Sequence, residues 1–337
     1  MRTFLLRVAG FLTLQLALAG ALIGMRDGST SRNYLAEAVP KHRLLESTQS
    51  PKVVLVGGSS MAFGIRSDRL EAALGRPVVN MGLASGLGLE FMLAEVEPRM
   101  RAGDTVILGF EYDHFARGPR TGWKSGTGFD PEILAQVLVF RPAGIAHLGW
   151  RHARSMILER GLPILSQILR ESAADLVSTE TRSPTTSEDR GFNRWGDHLL
   201  PESMDGTPGS LRLSLVADER GFPNEAAVRS VRDFVQRMKS IGVTVLWSHP
   251  PKPAAALTPG PLHRLGSALR EIPGLEVMDT PEEHGYPEAW FHGSPNHLTS
   301  RGADARTDRW IARLTGGIDS GTRFRFLAPR NRSTVPP

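Results

Sequence analysis

The chain has 337 residues, 40% hydrophobic and 22% charged, the composition of a globular protein large enough for a substantial core. It has no cysteine, which excludes a disulfide scaffold, a thiolate metal site and a cysteine nucleophile. Lys+Arg number 40 against 35 Asp+Glu, a net charge of +5, and because the positive charge is mostly scattered arginine no nucleic-acid partner is expected.

Arg2 and Arg7 precede an uncharged run over residues 8–25, in which Thr13 and Gln15 are the polar side chains. Its length, about 18 residues, reaches the lower limit for a helix that spans a bilayer. Positive charge ahead of it orients the chain N-inside. The expectation is an uncleaved signal anchor over 1–25, a single pass through the inner membrane and a periplasmic main domain. Cleavage near the small residues Ala17, Ala19, Gly20 and Ala21, giving a secreted protein, is the alternative. Residues 26–50 are polar and read as a membrane-proximal helix and linker.

From residue 51 short apolar runs alternate with helical periods. Strands are expected at 52–56, 77–80, 104–109, 243–247 and 275–278, each a compact run rich in Val, Ile or Leu. Helices are expected at 67–74, closed by Gly75, and at 87–100, 226–241, 262–272 and 298–314. This alternation predicts an α/β fold: a three-layer α/β/α sandwich on a five-stranded, mostly parallel, flavodoxin-like sheet over 51–314. Residues 115–225 break the pattern and read as an insertion with helices near 133–138 and 144–158. A Gly-, Arg-, Ser- and Pro-rich tail, 315–337, is expected to be disordered.

In such sheets ligands bind outside the carboxyl ends of the strands. The loop after the first strand, Gly57-Gly58-Ser59-Ser60-Met61-Ala62-Phe63-Gly64, offers two serines in a glycine-permitted turn. Taken alone it reads equally as a strand-to-helix turn with a capping serine. The loop before the last helix, Phe291-His292-Gly293-Ser294-Pro295-Asn296-His297-Leu298, brings a histidine to the same edge. Ser59 or Ser60 with His297 would make a nucleophile and its general base. His292 is the weaker histidine.

The order of these blocks resembles the SGNH (GDSL-type) hydrolase superfamily, in particular its membrane-anchored bacterial envelope branch. The matching segments are Gly57-Gly58-Ser59, then Asn80-Met81-Gly82-Leu83-Ala84-Ser85-Gly86, then Gly109-Phe110-Glu111-Tyr112, and His297-Leu298-Thr299-Ser300-Arg301-Gly302. The resemblance covers 50–114 and 225–314. It implies Ser59 or Ser60 as nucleophile, His297 as base, and Asn80, Gly82 and Gly86 as oxyanion donors. The partners it implies are an acylated glycan or small acyl ester, with the membrane held through the N-terminal helix. Separately, no metal or cofactor is expected, since nothing in the sequence clusters ligands at metal spacing.

The chain departs from that pattern in three ways. The nucleophile has two registers: Ser59 fits Gly-X-Ser directly after the strand and is preferred, while Ser60 fits Gly58-Ser59-Ser60, with Gly64 where many relatives have a glycine. The acidic residue usual three or four positions before the histidine is replaced by Ser294 and Gly293, and Asp279 could substitute only by a fold-back of its loop. Glu111 stands where the family offers an oxyanion-donating asparagine, and an ionised carboxylate cannot donate. Glu111 is therefore placed at the site's edge without an assigned role; His249, in Ser248-His249-Pro250-Pro251 after the fourth strand, lines the same edge and reads equally as a turn before a proline pair. The loop Asn193-Arg194-Trp195-Gly196-Asp197-His198 mixes an aromatic with polar groups, as sugar-binding loops do, and reads equally as an ordinary packed loop. Two functions follow as expectations: an extracytoplasmic serine esterase or O-acyltransferase acting on acylated cell-envelope glycan, or a catalytically inactive relative that binds or assembles envelope polysaccharide. A nucleotide-binding module is the remote third, since no phosphate-binding fingerprint is complete.

Overall fold

The computed structural model describes residues 10, 11, 13, 38–83, 85, 88–116, 192–198, 222–257 and 259–316. Apart from helical residues 10, 11 and 13, the expected anchor lies outside the described residues, as do the helices expected at 133–138 and 144–158 and the tail beyond 316. Among the described residues no helix is long and apolar enough to cross a membrane.

Helix α1 (Ala38–Ser47) leads into strand β1 (Val53–Gly57), the four-residue helix α2 (Ser59–Ala62), helix α3 (Ser67–Leu74), strand β2 (Val78–Gly82), helix α4 (Leu89–Val96), strand β3 (Thr105–Gly109) and the short helix α5 (Asp113–Ala116). Then come helix α6 (Glu225–Ser240), strand β4 (Thr244–Trp247), strand β5 (Lys252–Pro253), helix α7 (Pro259–Arg270), strand β6 (Leu275–Val277), strand β7 (Gly285–Tyr286) and helix α8 (Ser300–Leu314). The main sheet has the order β2-β1-β3-β4-β6, every pairing parallel. A separate parallel pair joins β5 to β7.

Burial on both faces explains why the strands are nearly continuous apolar runs. Val54, Val56, Val79, Met81, Val106, Leu108, Val245 and Trp247 pack with residues of α1, α4, α6 and α7 on one face. Val53, Leu55, Val78, Ile107 and Leu246 pack with α3 and α8 on the other. Helix α6 begins where Asn224 Oδ1 accepts the amides of Ala226 (3.0 Å) and Ala227 (3.3 Å), an N-cap that satisfies two otherwise orphan donors. Its stripe Val228, Val231, Phe234, Val235 and Met238 is buried against the sheet. Helix α3 stops at Gly75 in the left-handed conformation, φ 62°.

Three glycines lie in register at the sheet's carboxyl edge: Gly57 pairs with Gly82 on one side and Gly109 on the other. A Cβ on Gly57 would lie 2.3 Å from the Gly109 carbonyl oxygen, one on Gly82 2.4 Å from the Ala62 nitrogen, and one on Gly109 2.5 Å from the Met61 methyl. Their bare backbones let α2 sit directly on the strand ends. The chain reverses direction across the sheet between β1 and β3, so the crevice for a ligand lies between the loops that follow these two strands.

The segment read as a linker is docked where the structure describes it. Helix α1 buries Leu45 and Lys41, and Lys41 Nζ donates to the Gly82 carbonyl at 2.6 Å. His42 stands between Glu46, at 2.8 Å, and Glu95. The insertion also returns to the core. The Trp195 carbonyl accepts the Asn80 amide at 2.7 Å, and the Ala62 carbonyl accepts that of His198 at 2.8 Å. Gly196, at φ +95°, presses so close that a Cβ there would lie 2.3 Å from the Asn80 carbonyl oxygen.

Candidate active site

The turn after β1 separates the two serines. Ser60 is wholly buried, and its hydroxyl has no hydrogen-bond partner. Ser59, 8% exposed, turns its hydroxyl to the loop after β3, where it donates to Glu111 Oε1 across a long 3.4 Å. The same Oε1 accepts the Ser60 backbone amide at 2.8 Å. One carboxylate oxygen thus rests on the amide that follows Ser59 and against the Ser59 hydroxyl.

Glu111 is wholly buried. Its Oε2 receives no hydrogen bond, and His114 Nδ1 lies 3.4 Å away. Burial would raise the carboxyl's pKa. The charge of His114, the Ser60 amide and Lys252 outweigh it and hold Glu111 below its ordinary value, so it is a carboxylate at neutral pH. His114 is fixed in turn, its ring nitrogens each 3.2 Å from a carbonyl oxygen, of Glu111 and of Ser85. Lys252, on β5, donates from Nζ to Asn296 Oδ1 at 2.7 Å and so ties that strand to the histidine loop.

His297 stacks on Phe63, ring centroids 4.2 Å apart, and Phe63 also stacks on His198 at 4.7 Å. Burial pushes the His297 imidazole down to about 4; Glu111 opposes this, and His198 and His292 reinforce it. His297 is therefore neutral at pH 7 and able to accept a proton. Among the described residues no hydrogen bond joins its ring to Ser59 or Ser60.

Two of the three expected oxyanion donors, Asn80 and Gly82, are occupied. Asn80 Nδ2 donates to the Met61 carbonyl at 3.0 Å and to Asp197 Oδ1 at 2.8 Å, using both amide hydrogens. The Gly82 amide donates to Asn80 Oδ1 at 2.9 Å. Gly86 lies outside the described residues. Asp197, wholly buried, also accepts the Ser67 amide (2.8 Å) and hydroxyl (2.5 Å). Burial raises its carboxyl's pKa against the lowering by those partners, Asn80 and Asn193. Asn193–His198 is thus packed into the core through Asp197 and His198, with Trp195 half-exposed beneath the Arg194 guanidinium, 4.0 Å away.

Asp279 does not reach His297. It lies in a buried network beneath the site, accepting from Ser248 Oγ and bonded to His284 Nε2 at 2.7 Å, with its other oxygen on the His249 amide at 2.8 Å. Burial would raise Asp279; His284, His249 and Ser248 hold it down at about 2. His249 is wholly buried within that network, pushed down to about 4 chiefly by burial, with Nδ1 3.4 Å from the Tyr112 hydroxyl. Among the described residues no group of three or more His, Asp or Glu could hold a metal ion.

Arg306, in the middle of α8, is a site residue that the sequence reading passed over. Wholly buried, it donates to the Ser60 carbonyl at 2.9 Å and the His249 carbonyl at 3.3 Å, tying the β1 loop to the β4 loop. Gly64 makes room for it, since a Cβ there would lie 2.6 Å from Nη1. The signal was present: Arg306 falls on the α8 stripe of Gly302, Ala303, Trp310 and Leu314, where a solvated arginine has no place. No family model matches the chain, and no curated protein matches it.

Proposed function

We propose that the chain is an SGNH-like domain of the bacterial cell envelope that binds or assembles an acylated polysaccharide without transferring acyl groups. One observation carries the reading: the Glu111 carboxylate rests on the Ser60 amide at 2.8 Å and beside the Ser59 hydroxyl at 3.4 Å. Serine acyl transfer needs donors 2.7–3.1 Å from the developing oxyanion. Here that position holds a negative charge, and Asn80 and Gly82 already donate elsewhere. Among the described residues no acid is hydrogen-bonded to His297, and Asp279 serves His249 and His284. The β2-β1-β3-β4-β6 sheet is in keeping with the flavodoxin-like order of the superfamily. The envelope setting and the glycan rest on the resemblance and on the uncharged run over 8–25.

The second reading, an active esterase or O-acyltransferase acting on acylated envelope glycan, is favoured by the neutral His297, which is ready to act as a base at pH 7. The full chain treated with a fluorophosphonate probe and read by intact mass separates the two. The proposal expects no adduct on a protein that melts cooperatively. An adduct lost in Ser59→Ala and in His297→Ala would overturn it in favour of the esterase.

A further inference from the structure

Glu111 stands in the site as an oxyanion would. Its Oε1 lies 2.8 Å from an amide that immediately follows a serine and 3.4 Å from that serine's hydroxyl. A reacting carbonyl oxygen in a serine hydrolase occupies this relation to nucleophile and donor. The surroundings are built for an anion, with His114, Lys252 and the wholly buried Arg306 guanidinium all acting on Glu111. The backbone makes room for it: a Cβ on Gly58 would lie 2.0 Å from Oε2 and 2.5 Å from Cδ.

We propose that the Glu111 carboxylate plugs a latent oxyanion hole, and that Ser59 is a dormant nucleophile which loss of this one carboxylate exposes to small acyl esters. The inference rests on the reading that the native site does not transfer acyl groups, and it names the residue responsible. Shortening the side chain withdraws it from the Ser60 amide and vacates the seat. A phosphonyl or ester oxygen then accepts that amide. With a fluorophosphonate, Ser59 Oγ forms a bond to phosphorus, the P–F bond breaks and fluoride leaves with its electron pair. The Ser59 proton passes to water.

The test compares the full native chain with Glu111→Asn, Glu111→Ala and Glu111→Gln, each with and without Ser59→Ala, by rate of fluorophosphonate labelling. Gln keeps an acceptor of full length on the Ser60 amide and is expected to stay unlabelled. Asn and Ala are expected to label at Ser59 at least about tenfold faster than the native chain, and added acetate is expected to slow the labelling of Glu111→Ala by refilling the seat. If the shortened variants melt cooperatively yet stay unlabelled, the inference is overturned and the binding function stands. If the native chain labels as fast as they do, both are overturned. If neither shortened variant melts cooperatively, acetate is expected to restore a cooperative melt to Glu111→Ala, and failure to do so overturns the inference.

Discussion

Gly58 has no side chain because Glu111 is there: a Cβ at 58 would meet Oε2 at 2.0 Å. The conformation of Gly58 does not demand glycine, since its φ is −84°. What demands it is the buried carboxylate, which cannot withdraw without leaving the Ser60 amide and itself unpaired.

Gly58→Ala is therefore expected to destabilise the protein by about 2–4 kcal/mol. Most of that cost should vanish when Glu111→Ala is already present, giving a coupling of about 1–3 kcal/mol in a double-mutant cycle followed by urea unfolding. Additive costs would mean that the two residues do not share space.

Arg306 carries a second expectation. Arg306→Leu strips donors from the buried Ser60 and His249 carbonyls and is expected to cost about 2–5 kcal/mol. Arg306→Lys keeps the charge but cannot span both carbonyls and should fall between the two. A loss within about 0.5 kcal/mol, the range of ordinary surface changes, would remove Arg306 from the site's framework.

Much of the sheet was legible before its structure. Parallel strands buried on both faces must be short continuous apolar runs, and all five expected strands lie within two residues of the observed ones at either end. The docking of Lys41 was not legible, because a lysine in a polar segment reads as solvated and its partner, the Gly82 carbonyl, carries no side-chain signal. The Ser248–Asp279–His284 network joins the loop after β4 to the loop after β6, and nothing in the sequence announces that these two loops meet. Glu111 was visible as a departure from the pattern of the SGNH hydrolases that the sequence resembles. That its carboxylate reaches the Ser60 amide is a distance, and only the fold supplies it.

Stability should depend on pH in a stated direction. His249 is neutral in the fold, with its pKa at about 4 against 6.5 unfolded, so its contribution is complete above pH 6.5 and is lost as pH falls towards 4. At about 1.4 kcal/mol per pH unit this is roughly 3 kcal/mol. Asp279, held at about 2 against 3.8, adds a contribution present above pH 3.8 and lost as pH falls towards 2. The raised carboxyl of Asp197 works in the opposite sense around pH 4. Urea unfolding across this range is expected to show the first loss between pH 6.5 and 4, to which the depressed imidazoles of His297 and His284 add in the same sense, and His249→Leu should remove its own share of it. A flat native profile there would contradict the buried neutral imidazole.

Among the described residues no carboxylate is hydrogen-bonded to His297, and one can be supplied. Ser294→Asp places a carboxylate three positions before the imidazole, and an adjacent anion favours the charged ring. His297 is expected to titrate about one to three pH units above its native value of about 4, as read by its ring proton resonances. An unmoved titration would show that the loop holds residue 294 away from the ring.

One hydrogen bond, from the Ser60 amide to Glu111, holds the carboxylate in its seat. Its most direct measurement is the proton chemical shift of that amide, followed by NMR through an acid titration of the full chain beside Glu111→Gln. The account predicts a downfield amide that moves with a midpoint below the ordinary Glu value of 4.5, and that does not move in the variant. A Ser60 amide indifferent to acid in the native chain, or one that moves equally in both proteins, would mean that the carboxylate does not occupy the seat and that the Ser59 site is open.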